Sequence, residues 1–235
     1  MTSDSNTNNP DREANMDTTG SGSDDNTTKI DSDMLSAAVR AIKSGELVVY
    51  PTETVYGLGV DALNPDAIKR VFDTKGRTYD NPLSLAVESV SAVARHTNPS
   101  ERAMQFIKAF LPGPVTVIVE CSTAVPDILT AGRDRVGIRI PDHHVALSLL
   151  ERAAPTPITA TSANQSGTGS IVDTNMLAQS IQQNVAVVLE AGETTGTEST
   201  VVDPTRNVIH RRGAMADAVI AWLSDVSGTR PTIES

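Results

Sequence analysis

The sequence predicts an α/β protein of the mixed α+β kind: a twisted mixed sheet with flanking helices and a concave, positively lined crevice. Three observations carry this. Strand-like and helical segments alternate irregularly, with some strand pairs joined directly, as "STVVD" is to "NVIHR"; a doubly wound repeat would alternate strictly. Short strands are followed repeatedly by polar loops, "PTETVYGLG", "KGRTYDNP", "TSANQSG" and "TESTVVD", and loops at strand ends of an open sheet converge on one crevice. In "RVGIRI" the two-residue period puts Val136, Ile138 and Ile140 on one face and Arg135, Gly137 and Arg139 on the other. Two arginines flanking a glycine resist burial in a core, and the glycine leaves room for something to approach the backbone.

The elements follow in order. "DSDMLSAAVRAIKSG" reads as a helix with Asp or Ser at its cap, apolar residues at Leu35, Ala38, Val39 and Ile42, and Gly45 after the last turn. "ELVVYP" is a short buried strand, and "TETVYGLGVDALN" a glycine-bearing connection. "NPDAIKRVFDTKG" is a helix capped by Asn64 with Pro65 at its first position. After the "KGRTYDNP" loop come a strand "LSLAV" and helical stretches from about 89 to 110. "LPGPVTVIVE" and "VGIRIP" are strands, "HVALSLLERAA" a helix, "PITAT" a strand and "SANQSGTGS" a loop. A weaker helix near 174–182, strands "VAVVLE", "STVVD" and "NVIHR", and a helix over 214–224 complete the chain.

A chain of 235 residues with 39% hydrophobic residues can bury one full core. Residues 1–30 are dense in Asp, Asn, Ser, Thr and Gly and nearly free of large apolar side chains, which predicts a disordered acidic tail before one folded domain over 31–235. The start lacks the basic and apolar stretches of a signal peptide, and no run approaches the ~18 apolar residues of a membrane span. A soluble cytoplasmic protein without a membrane partner is expected. The lone Cys121, in "VTVIVEC", excludes an intrachain disulfide and reads as a buried, inert thiol.

The net charge of −10 is built from 29 acids against 19 bases. Few lysines and many acids suggest a surface adapted to concentrated salt; an ordinary acidic protein is the bland alternative. Either way an acidic body disfavours tight binding to a nucleic-acid backbone. Clustered cations therefore stand out.

Each polar cluster admits a structural reading as well. Lys75 and Arg77 fit a solvated loop, "TSAN" a turn bonded to its own backbone, and Arg139 an ion-pair partner, for instance of Asp142. Four such clusters aimed at one crevice favour an anion site. His96, His143, His144 and His210 lack ligand spacing, and no zinc pattern, nucleophile elbow, P-loop or dinucleotide fingerprint is present. Without an evident nucleophile, the chemistry expected is of the positioning kind.

The blocks "PTETVYGLG", "KGR…NPL", "LPGPVTVIV", "VGIRIPDH", "TSANQSG" and "STVVD", in that order over about 32–215, resemble the YrdC-like threonylcarbamoyl-AMP synthases. The resemblance implies a nucleotidyltransferase that makes threonylcarbamoyl-adenylate and pyrophosphate from L-threonine, bicarbonate and ATP, for modification of tRNA by partner proteins. It implies that Lys75 and Arg77 handle the phosphates and carry the chemistry. Asn81, Ser162, Asn164, Ser170 and Arg211 join them on the nucleotide, while Thr54, Arg139 and Ser199 hold threonine. Mg²⁺ would accompany ATP and need few protein ligands, which agrees with the absence of a metal motif. The extra C-terminal domain of longer members is not expected. Two positions depart from the pattern: Ala86 stands where a histidine is frequent, and Arg135 where a threonine is expected. The alternatives are a double-stranded RNA-binding or ribosome-assembly module of the same fold with weak RNA binding, a paralogue with altered substrate, and a carbamoyl-handling relative acting in metallocentre maturation.

Overall fold

The computed structural model describes residues 31–234; the tail expected over 1–30 lies outside them. Helix α1 (Ser32–Lys43) is capped by Asp31, whose carboxylate accepts the Asp33 N–H, and it buries Leu35, Ala38, Ala41 and Ile42 at helical spacing. Strand β1 (Leu47–Tyr50) follows, then β2 (Gly57–Gly59) and α2 (Pro65–Lys75), capped by Asn64 as expected. Next are β3 (Ser84–Ala86), the single turn α3 (Val90–Val93), α4 (Glu101–Phe110) and β4 (Val115–Glu120). The single turn α5 (Asp127–Thr130), β5 (Arg135–Arg139), α6 (His144–Ala153) and β6 (Ile158–Ser162) lead to a 3₁₀ turn over Thr174–Met176 and α7 (Gln179–Gln182). Strands β7 (Val185–Val188), β8 (Thr200–Asp203) and β9 (Val208–Arg211), helix α8 (Ala216–Ser227) and β10 (Thr232–Ile233) end the described chain.

The strands form one mixed sheet in the order β10-β9-β8-β4-β5-β3-β6-β2-β1-β7. Parallel pairs such as β3 with β5 and β4 with β8 alternate with antiparallel ones such as β4 with β5. The expected mixed sheet with flanking helices is what the chain adopts.

Several local expectations are revised. The segment "TETVYGLGVDALN", expected as a glycine-bearing connection, contains strand β2. Those glycines are what let it pair: a Cβ on Gly57 or Gly59 would lie 2.7 or 3.0 Å from the Tyr50 ring. The helical stretch over 89–110 is two elements, since Pro99 cannot continue a helix and Ser100 caps a new one by accepting the Ala103 N–H. The weak helix near 174 is a 3₁₀ turn and a separate helical turn, while α5 and β10 are too short to carry a period. Cys121 is half-buried, with its thiol near the Arg133 carbonyl, and burial raises its pKa, so the fully buried reading is too strong.

Period-two alternation sorts the sheet into unlike faces. On one face Val49, Leu58, Leu85, Val117, Ile138 and Val202 pack under α2, α4, α5, α7 and α8 in one continuous core. On the other face Val48, Tyr50 and Ile158 pack against α1 and α6 in a smaller core. Those two helices cover one end of the second face, leaving the strands around β4 and β5 as the floor of a crevice. Among the described residues no helix is long and apolar enough to cross a membrane.

Candidate active site

The crevice is a cavity of about 780 Å³ lined by residues from all four polar loops singled out in the sequence: Thr52, Thr54 and Gly57; Arg77, Thr78 and Asp80 to Pro82; Ser162; and Glu198, Ser199 and Asp203. The alternation of β5 holds, for Val136 and Ile138 lie in the core while Arg135, Gly137 and Arg139 line the cavity. Gly137 is not open to a ligand's approach, however. A Cβ there would fall 2.3 Å from Ser84 Oγ and 2.9 Å from a Thr116 methyl, so side chains of the flanking strands use that space.

Six arginines line the cavity (Arg77, Arg133, Arg135, Arg139, Arg206, Arg211) against three acids (Asp80, Glu198, Asp203). A cationic crevice in a chain of charge −10 concentrates positive potential where it can draw an anion.

At one end, Arg139 is 6% exposed. Its Nη2 donates to Thr54 Oγ1 at 3.2 Å and lies 2.8 Å from Glu53 Oε1. The Glu53 contact is an ion pair off the N–H axis. Arg139 Nε and both Glu53 carboxylate oxygens therefore have no hydrogen-bond partner among the described residues. The counter-ion is Glu53, not the Asp142 that proximity in sequence suggested. Burial lowers the Arg139 pKa and Glu53 opposes the shift, leaving a fixed cation. Thr54 is set by Thr52, whose hydroxyl donates to the Val55 carbonyl at 2.6 Å and stands 2.8 Å from the Thr54 hydroxyl. Tyr50, fully buried beneath, has its phenol pKa raised by burial and donates to the Thr159 carbonyl.

Ser199 and Arg211 form the side wall. Ser199 Oγ lies 2.9 Å from Thr116 Oγ1 and accepts from Arg211 Nη2 at 3.1 Å, while Arg211 Nη1 pairs with Glu198 at 2.6 Å. After burial, the charge of Arg211 is the next influence lowering the Arg77 pKa.

At the other end, Gly76 ends α2 in the left-handed conformation (φ 59°), a geometry that costs glycine little. It turns Arg77 into the cavity, where Nε donates to the Asn81 carbonyl at 2.8 Å and Nη2 to Asn81 Oδ1 at 2.6 Å and the Pro82 carbonyl at 2.8 Å. Arg135, the departure from the expected threonine, pairs with Asp203 at 2.8 Å, and Asp203 is 1% exposed.

The structure thus brings Arg77, Asn81, Ser162, Arg211, Thr54, Arg139 and Ser199 into the lining of one cavity. Three expected residues are not in it. Lys75 is the last residue of α2, not part of the loop, and Asn164 holds its own turn by donating to the Gln165 and Thr168 carbonyls. Ser170 donates to Glu198. Ala86 is buried in β3, within the smaller core.

The chain and its fold have known relatives. Residues 40–213 match the model of the Sua5/YciO/YrdC family, which carries the description telomere recombination. The chain belongs to this family. A threonylcarbamoyl-AMP synthase of Pyrococcus abyssi is 42% identical over 168 residues, covering 70% of this chain and 48% of that protein. One of Bacillus subtilis is 40% identical over 171 residues, covering 72% and 49%. The chain thus spans about half the length of these relatives. One of Vibrio parahaemolyticus, 31% identical over 186 residues, is covered over 100% of its length. Among solved structures, P. abyssi Sua5 complexed with L-threonine superposes with a TM-score of 0.78 at 38% identity, covering 86% of this chain and 58% of that one. E. coli YciO, at 24% identity and a TM-score of 0.71, covering 77% of this chain and 90% of that one, shares the fold.

Sequence reasoning missed several wall residues of this family member. Arg133 was within reach, because the period through Arg139, Gly137 and Arg135 continues to it. Thr116 and Arg206 carry no such signal, nor does Glu53, which stands behind the wall as the partner of Arg139; each takes its place through packing of distant segments.

Proposed function

We propose that the chain is a threonylcarbamoyl-AMP synthase, a nucleotidyltransferase acting on L-threonine, bicarbonate and ATP. The observation that carries this is Arg139: a buried arginine with an unpartnered Nε beside the Thr54 hydroxyl, across one cavity from Arg77 and Arg211. A planar guanidinium with unused N–H groups suits a carboxylate, and the further arginines suit phosphates. The names of the relatives and the threonine complex of one of them agree.

In this reading Arg139, Thr54 and Ser199 hold the amino acid. Arg77, Asn81, Ser162 and Arg211 hold the nucleotide, with charge building on the leaving pyrophosphate met by arginines already in place. Two bonds form. The threonine nitrogen joins the bicarbonate carbon with loss of water, and a carbamate oxygen joins the α-phosphorus as pyrophosphate leaves. Mg²⁺ fits the donor set, because Asp80 lines the cavity with no ion-pair or hydrogen-bond partner for its carboxylate among the described residues. A phosphate-bound Mg²⁺ needs few protein ligands and supplies charge neutralisation. Partner proteins that modify tRNA would take the product.

The test is product identification. Incubation with Mg²⁺, ATP, L-threonine and ¹³C-bicarbonate should yield threonylcarbamoyl-adenylate carrying the label, detected by mass. Turnover of ATP without that species would refute the assignment.

A further inference from the structure

We propose that Lys75 is a positioning residue: a cationic clamp that holds the end of β6 and the loop that follows it, over 162–166, from behind the cavity wall instead of touching substrate phosphates. The inference rests on the reading that Ser162 serves the nucleotide, and it assigns Lys75 a role apart from that of Arg77.

Lys75 is 2% exposed. Its ammonium donates to the Ser162 carbonyl and, at 2.6 Å, to the Asn164 carbonyl, with Asn164 Oδ1 at 3.5 Å. Its own carbonyl accepts the Ser166 N–H at 2.9 Å. One residue therefore fastens the end of α2 to the loop through both its side chain and its backbone. Two ammonium protons meet carbonyl oxygens and Asn164 Oδ1 stands at the limit of reach of the third, all on the scaffold side. Within the segment Ser162 Oγ bonds Asn164 Oδ1, Asn164 Nδ2 donates to the Gln165 and Thr168 carbonyls and the Ala163 N–H to the Tyr56 carbonyl; Lys75 adds the tie to the end of α2 that these bonds do not supply.

The spacing of "KGR" then has a mechanical meaning. Lys75 points back into the scaffold, left-handed Gly76 reverses the chain, and Arg77 points into the cavity. Nothing lies within 4 Å of a Cβ at Gly76, so its glycine serves the turn and not a close contact. The two cations flank Ser162 by different routes: one fixes its backbone, the other shares its cavity wall.

Two measurements separate a clamp from a phosphate ligand. In ligand-free protein, amide hydrogen exchange at 164–168 should speed up by at least about tenfold in Lys75→Met, the scale of losing a charge-assisted hydrogen bond. Unchanged exchange would overturn the clamp, and this readout is independent of whether ATP is the substrate. In ATP titrations without threonine, Lys75→Met and Ser162→Ala should each weaken binding, and the double variant should bind no worse than Lys75→Met alone. Effects that multiply would place Lys75 on the nucleotide directly. If Lys75→Met does not fold, the ¹⁵N signal of the Lys75 ammonium in unaltered protein decides. Protons slow to exchange before ATP is added, with a shift that ATP leaves unmoved, support the clamp; a fast-exchanging ammonium whose shift moves on ATP binding contradicts it. Failure of unaltered protein to bind ATP would sink the functional reading while leaving the ligand-free exchange result to judge the clamp.

Discussion

Arg139 and Arg77 face the same cavity under opposite conditions. Arg139 stands on a strand, is nearly buried, and is held by Glu53 and Thr54 from another element, so its Nε has no partner among the described residues. Arg77 stands on a loop and gives its Nε and Nη2 to Asn81 and Pro82 of that same loop. A scaffold-held cation is ready for a ligand, whereas a loop-held cation is part of what holds its loop. Binding at the Arg77 end must exchange hydrogen bonds within its loop, whereas the Arg139 end keeps an unpartnered Nε beside its contacts to Thr54 and Glu53. Preorganisation, and hence the sensitivity to mutation, should be greater at the Arg139 end.

The largest effect that sharpens this contrast is expected from Arg139→Ala. The amino-acid carboxylate loses its partner and Glu53 loses its counter-ion, so the KM for threonine should rise by roughly 30- to 1000-fold, about 2 to 4 kcal/mol. ATP affinity measured without threonine should change little. Equal loss of both affinities would place Arg139 with the nucleotide or the scaffold.

Arg77→Ala should cost less. Part of its bonding is internal to the loop, and Arg211 remains on the wall, so ATP affinity should fall by about tenfold, as read by titration. A loss matching that of Arg139→Ala for threonine would remove the distinction between the two ends.

A smaller effect concerns the scaffold away from the crevice. His96 is 6% exposed, and burial lowers its imidazole pKa. Above about pH 6.5 it is neutral in both folded and unfolded chains. As pH falls below that value the unfolded chain takes up the proton first, so stability should decline from about pH 6.5 down to the folded pKa. Urea unfolding between pH 7 and 5 should show this slope, and His96→Leu should flatten it. A slope unchanged by the substitution would mean that other groups carry it.

The smallest expected effect is salt-dependent. The acidic surface repels itself when unscreened, so melting temperature should fall on transfer from concentrated salt to dilute buffer. Full stability in dilute buffer would reject the salt-adapted reading of the composition.

What the sequence revealed tracks how local each cause is. Helices α1 and α2 were readable with their caps because Asp31 and Asn64 bond within three residues of themselves. The face of β5 was readable because a two-residue period needs no partner. Strand β2 was not, since the reason its glycines sit in a strand is the Tyr50 ring on β1. Glu53 was hidden for the same kind of reason: Arg139 lies far away in the chain, and only the folded sheet brings the pair within 2.8 Å. The loop motifs identified the cavity, yet their spacing cannot tell a side chain that faces the cavity from one that faces the scaffold, and Lys75 falls on that line.

The central claim is that one crevice holds two unlike ends that act together, and pyrophosphate release measures this most directly. With Mg²⁺, ATP and bicarbonate present, release should occur only when L-threonine is added, because turnover needs the Arg139 end filled as well as the Arg77 end. Equal release without an amino acid, or with any amino acid supplied, would contradict the account.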